Sequence, residues 1–120
     1  MKTILLADDE ANLRLLVHTT LDDPAYRILE AADGTAALAL ARQEHPDLLV
    51  LDWMMPGLTG PEVAQALRQD IETAHIPIIM LTAKGQERDK EQGRTLGTYA
   101  YLVKPFSPLE LLERVQEVLG

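Results

Sequence analysis

Five short apolar runs, separated by segments with helical character, constrain this chain more than any other feature. The runs are residues 3–7 (TILLA), 26–31, 48–51 (LLVL), 76–81 around Pro77, and 100–103. Between and after them the periodicity changes. Residues 10–21 place Leu13, Leu16, Val17 and Leu21 at helical spacing and stop at Asp22-Asp23-Pro24. Residues 34–44 are Ala- and Leu-rich and end before His45-Pro46, where the residue ahead of a proline is pushed out of the helical region. Pro61 suits the first turn of a third helix reaching to about residue 69. A polar segment at about 86–96 reads as a fourth helix, and 108–119 as a fifth, amphipathic through Leu109, Leu112, Val115 and Leu119. Continuously apolar strands alternating with helices predict an α/β fold, a parallel sheet covered on both faces. Right-handed crossovers make it a doubly wound sandwich. The 120 residues are expected to form one domain, with no repeat, no linker and no output domain after the fifth helix.

Composition narrows the function. There is no Cys, which removes disulfides, thiolate zinc sites and thiol catalysis and fits a reducing compartment. Eleven Lys+Arg against nineteen Asp+Glu give a net charge of −8, the reverse of the basic surface that nucleic-acid binding requires. The apolar start, Ile4 to Ala7, is too short for a signal-peptide core or a membrane span. A cytoplasmic protein that contacts neither nucleic acid nor membrane is expected.

In a doubly wound sheet, ligands bind beyond the carboxyl ends of the strands. There the sequence sets Asp8, Asp9 and Glu10 after strand one, Asp52 after strand three, Thr82 after strand four and Lys104-Pro105 after strand five. Three close carboxylates repel one another and raise each other's pKa values unless a cation joins them. A hard divalent ion with oxygen ligands meets that need, and Mg²⁺ keeps room for water and a substrate phosphate. With Lys104 the charges cancel (−3 + 2 + 1 = 0), leaving a site that can accept a phosphoryl group. Asp52, alone at the end of the central strand, is the expected nucleophile, with Asp9 binding the metal directly and Asp8 binding it directly or through water. The Thr82 hydroxyl and the Lys104 ammonium would each hold a phosphoryl oxygen. Singly, each residue has an ordinary explanation as a helix cap, a turn residue, a strand end or a surface lysine. Five matching residue types at matching strand ends do not.

At these residues the chain resembles the response-regulator receiver family of two-component signalling, including its single-domain chemotaxis regulators. The motifs are ILLADDE (4–10), LLVLDWMMPGLTG (48–60), PIIMLTA (77–83) and YLVKPF (101–106), and the likeness spans essentially the whole chain. It implies a flavodoxin-like, five-stranded parallel sheet of order 2-1-3-4-5 with five helices. It also implies phosphorylation of Asp52 by a histidine kinase or histidine phosphotransfer protein, and Mg²⁺ bound by Asp8, Asp9, Asp52 and the Met54 carbonyl. Lys104-Pro105 would be cis, and Thr82 and Tyr101 would form a switch pair. Met54 and Lys84 would tune dephosphorylation. The output partner would meet the face built from the fourth helix, strand five and the fifth helix, with dimerisation there on phosphorylation. One departure is Gly97-Thr98-Tyr99-Ala100, where family members often carry Gly-Ala and then acidic residues; it bears on partner identity. The fourth helix, with Gly85 before it, Gly93 inside and little apolar surface, is expected to be marginal and easily biased.

Such a protein is a switch and not an enzyme with separate substrate turnover. An Asp-nucleophile phosphatase would want a second acid near Asp52, and Trp53-Met54-Met55-Pro56 supplies none. A nucleotide or flavin binder would want a Gly- or hydroxyl-rich loop where Asp8-Asp9-Glu10 stands. Two alternatives remain: the isolated receiver of a longer regulator or hybrid kinase, and a phosphorylation-independent interaction module.

Overall fold

The computed structural model describes residues 1–83 and 97–120. Five parallel strands form one sheet: β1 (Lys2–Ala7), β2 (Tyr26–Ala31), β3 (Leu48–Asp52), β4 (Ile78–Ala83) and β5 (Ala100–Lys104), in the order β2-β1-β3-β4-β5. The described helices are α1 (Ala11–Thr20), α2 (Gly34–Glu44), α3 (Gly60–Arg68) and a C-terminal helix (Pro108–Leu119). The fourth helix expected from sequence, with Lys84, Gly85 and Gly93, lies outside the described residues.

Strand alternation divides the core in two. Leu5, Leu49, Leu51, Ile78 and Met80 point to one face and are covered by Ala37 and Ala41 of α2 and Val63, Ala64 and Leu67 of α3. Ile4, Leu6, Val50, Ile79 and Leu81 point to the other, under Val17 and Leu21 and, from the C-terminal helix, Leu111 and Val115. The apolar stripes of two helices are phased differently from the sequence reading. Leu16 is 43% exposed, and Leu109 is 63% exposed while Leu111 is fully buried. With leucines on several sides of each helix, spacing alone does not say which side meets the sheet.

Strand four also shifts, from residues 76–81 to Ile78–Ala83. Pro77 has no N–H to give the ladder, and the Ile76 amide instead closes a turn onto the Thr73 carbonyl at 3.1 Å. Arg68 fixes that turn by donating to the carbonyls of Ala74 (2.9 Å) and Ile76 (2.8 Å). Thr82 is consequently the next-to-last residue of β4 rather than the residue after it.

Candidate functional site: an acidic cleft at the carboxyl edge of the sheet

Strand register brings the expected residues to one edge. Ala7 pairs with Leu51 and Asp52 with Leu81, so Asp8 and Asp52 extend neighbouring strands at the same level. Ala83 pairs with Lys104, which carries the lysine past that edge. Asp8, Asp52 and Thr82 are buried, and Asp9 is exposed at the rim. Asp8, Asp9 and Asp52 each offer a carboxylate oxygen within 4.8 Å of the others.

Lys104 joins two of the three. Its Nζ lies 3.1 Å from Asp8 Oδ2 and 3.0 Å from Asp52 Oδ1. Asp52 is pushed up to about 6 from 3.8, first by burial and then by the charge of Asp8, with Lys104 pulling the other way and Asp9 adding a smaller upward push. Repulsion was the cause anticipated from sequence; burial is the larger one. For Lys104, burial opposes the charged form, but its bonds to Asp52 and Asp8 outweigh that and hold its pKa above the ordinary value. The Lys104-Pro105 peptide is cis, as the resemblance implied.

The β1–α1 turn is fixed at every polar atom of Asp8. Its amide donates to the Ala31 carbonyl of β2 at 3.1 Å, and its Oδ1 accepts the Glu10 amide at 2.8 Å. Oδ2 faces Lys104, and its carbonyl accepts from Arg14 Nη1 at 2.7 Å. The ordinary role of an Asp before a helix, accepting a backbone amide, therefore coexists with the ion pair to Lys104. Sequence reading did not single out Arg14; its only signal is a basic residue one turn beyond the acidic pair.

The loop after β3 is pinned as closely. Gly60 donates to the Trp53 carbonyl at 2.8 Å, and Gly34 to the Pro56 carbonyl at 3.1 Å. A β-carbon on Gly34 would lie 1.9 Å from the Leu58 carbonyl oxygen, so only glycine lets the loop rest on the start of α2. Thr59 and Glu62 cap α3 reciprocally. Met54, 58% exposed, lines an open cleft of about 300 Å³ with Asp9, Glu10, Asp52, Ala83 and Lys104.

Thr82 and Tyr101 share the sheet face that α2 and α3 cover. Met80, two residues before Thr82, pairs with Tyr101, and Tyr101 packs partly buried against that core. Tyr99, half-exposed, donates its hydroxyl to Glu117 Oε1 at 3.0 Å.

The donor set consists of oxygens only, three carboxylates facing one ammonium, which fits a hard divalent cation and not a soft metal. Among the described residues, no helix is long and apolar enough to cross a membrane.

Comparison with known proteins gives concordant results. The family model "Response regulator receiver domain" matches residues 4–116. The phosphate regulon transcriptional regulatory protein PhoB of Pseudomonas aeruginosa is 48% identical over 118 residues, 98% of this chain and 52% of PhoB. PhoB of Klebsiella pneumoniae is 38% identical over the same share of each. The chain thus spans about half the length of the curated relatives it matches. Among solved structures, the chemotaxis response regulator CheY4 of Vibrio cholerae superposes with a TM-score of 0.90 at 39% identity, covering 99% of both chains. The receiver domain of the sensor histidine kinase PA1611 of P. aeruginosa, which holds a magnesium ion in its active-site cleft, gives 0.88 at 30% identity, covering 99% of this chain and 98% of its own.

Proposed function

Because the chain belongs to the response regulator receiver domain family of two-component signalling, we propose that Asp52 is its phosphoacceptor and that residues 1–120 act as one receiver domain, a phosphorylation-driven switch. The observation that carries this reading is the buried Asp52 carboxylate at the end of the central strand, 3.0 Å from the Lys104 ammonium and open to the acidic cleft.

An Asp52 oxygen attacks phosphorus, an O–P bond forms, and the P–N bond of a phosphohistidine donor breaks, leaving the electron pair on the departing imidazole. A histidine kinase or histidine phosphotransfer protein supplies that donor, as for receiver domains in general. Lys104, shared between Asp8 and Asp52 at rest, is placed to pair with a phosphoryl oxygen once Asp52 is esterified. The Thr82 hydroxyl takes another. Asp8, Asp9, Asp52 and the Met54 carbonyl would hold Mg²⁺, which when bound supplies positive charge to the transferring group. As Thr82 turns toward the phosphoryl group, Tyr101 moves inward on the same sheet face. The change is read between β5 and the C-terminal helix, where Tyr101, Leu109, Glu113 and Arg114 line an open groove of about 520 Å³. That surface receives the output partner or a second copy after phosphorylation. The chain turns over no separate substrate and works in the cytoplasm. The PhoB relatives, about twice as long, favour a second reading of context: a receiver unit within a longer regulator.

Trp53, the only tryptophan and the neighbour of Asp52, provides the test. Its emission should change on adding Mg²⁺ and again on adding a small phosphodonor. Asp52→Asn should abolish the second change. A second change of equal size in the mutant would remove Asp52 from the reading.

A further inference from the structure

Arg14 lies on the first turns of α1, outside the cleft, and none of the roles above uses it. Its side chain is only 19% exposed, and its guanidinium makes two bonds in two directions. Nη1 donates to the Asp8 backbone carbonyl at 2.7 Å, and Nε donates to Glu30 Oε1 of β2 at 3.1 Å. Glu30 is itself held from the other side, its Oε2 lying 2.9 Å from His18 Nδ1. The acidic turn is therefore anchored through Arg14 to the edge strand, one peptide away from Asp9.

We propose that Arg14 is a positioning residue for cation binding, clamping the Asp8-Asp9 turn so that both carboxylates face Asp52. This rests on the reading of the site above. A planar guanidinium can bond a carbonyl and a carboxylate at once along fixed directions, which a lysine ammonium on a flexible stem cannot reproduce. Groups that orient ligands in this way commonly change metal affinity by about 10–100-fold when removed.

The sign of the effect separates positioning from charge. Arg14 is a cation beside an acidic site, so deleting its charge alone should tighten binding of a divalent cation. Loss of positioning should weaken it. The experiment titrates MgCl₂ into the metal-free protein, following the amide NMR shifts of Asp9 and Asp52. Arg14→Gln should weaken binding about tenfold, Arg14→Lys should fail to restore it, and Glu30→Gln should weaken it in the same direction with less disturbance of the fold. The control is Arg27→Gln, which breaks an ion pair to Glu44 on the same edge strand away from the cleft; it should leave affinity unchanged. Exchange of the Glu10 amide, bonded to Asp8 Oδ1, should speed up in Arg14→Gln and not in Arg27→Gln. Unchanged or tighter Mg²⁺ binding in folded Arg14→Gln or Glu30→Gln, or full rescue by Lys, overturns the clamp while leaving the site intact. A wild type that shows no Mg²⁺ response overturns the metal reading of the site and the clamp with it.

Discussion

At the scale of single residues, burying the Asp52 carboxyl beside Asp8 costs stability. Its carboxyl titrates at about 6 against 3.8, so between those values the folded protein keeps a proton that the unfolded chain has released. The cost of its charge is absent below about pH 3.8, grows as pH rises through about 6, and persists above. The shift corresponds to ~3 kcal/mol, an order-of-magnitude figure. Metal-free Asp52→Asn should therefore be the more stable protein at pH 7.5, with the difference vanishing below about pH 4. Urea unfolding in chelator across that range measures it; a mutant less stable at pH 7.5 would show that Lys104 more than offsets the burial. The meeting of Asp8, Asp9, Asp52 and Lys104 at one edge was legible in the sequence because each sits at or just past a strand end, and the topology decides where strand ends meet. Arg14 and Glu30 were not. Their bond joins a helix face to an edge strand sixteen residues away, and neither residue interrupts its own element's pattern enough to mark a contact.

At the scale of elements, the loop between β3 and α3 rests on a close backbone approach at Gly60 as well as on the Thr59–Glu62 cap. A β-carbon on Gly60 would stand 2.3 Å from the Asp52 carbonyl oxygen and 3.0 Å from Met80 Sδ. Backbone cannot give way there as a flexible side chain could. Gly60→Ala should destabilise by about 1–3 kcal/mol and slow phosphorylation of Asp52, as chemical denaturation and phosphodonor kinetics will show. A variant with the stability and rate of wild type would mean the loop can shift freely. The element pattern itself was readable: β2, α2 and the C-terminal helix fall on the residues expected from sequence. Strand four was misplaced by two residues because Ile76, fully buried and apolar, looks like strand until the turn at Thr73 is known. Leu16 and Leu109 look like core until α1 and the C-terminal helix are docked.

At the scale of the molecule, one sheet carries two separate apolar layers, and Trp53 belongs only to the layer under α2 and α3. If the layers are one cooperative unit, Leu67→Ala on that side and Leu111→Ala on the other should each cost about 2–5 kcal/mol. Each should lower the same unfolding transition, whether followed by Trp53 fluorescence or by far-ultraviolet circular dichroism. A Leu111→Ala protein whose fluorescence transition stays in place while its dichroism moves would show that the layers unfold apart. That shared scaffold positions the acidic edge at which Asp52 stands. The most direct test is intact mass and peptide mapping after incubation with Mg²⁺ and a small phosphodonor. With Asp52 as phosphoacceptor, one phosphoryl group is added and maps to Asp52, absent in Asp52→Asn and absent in chelator; a folded wild type that gains no mass, or gains it at another residue, contradicts that assignment.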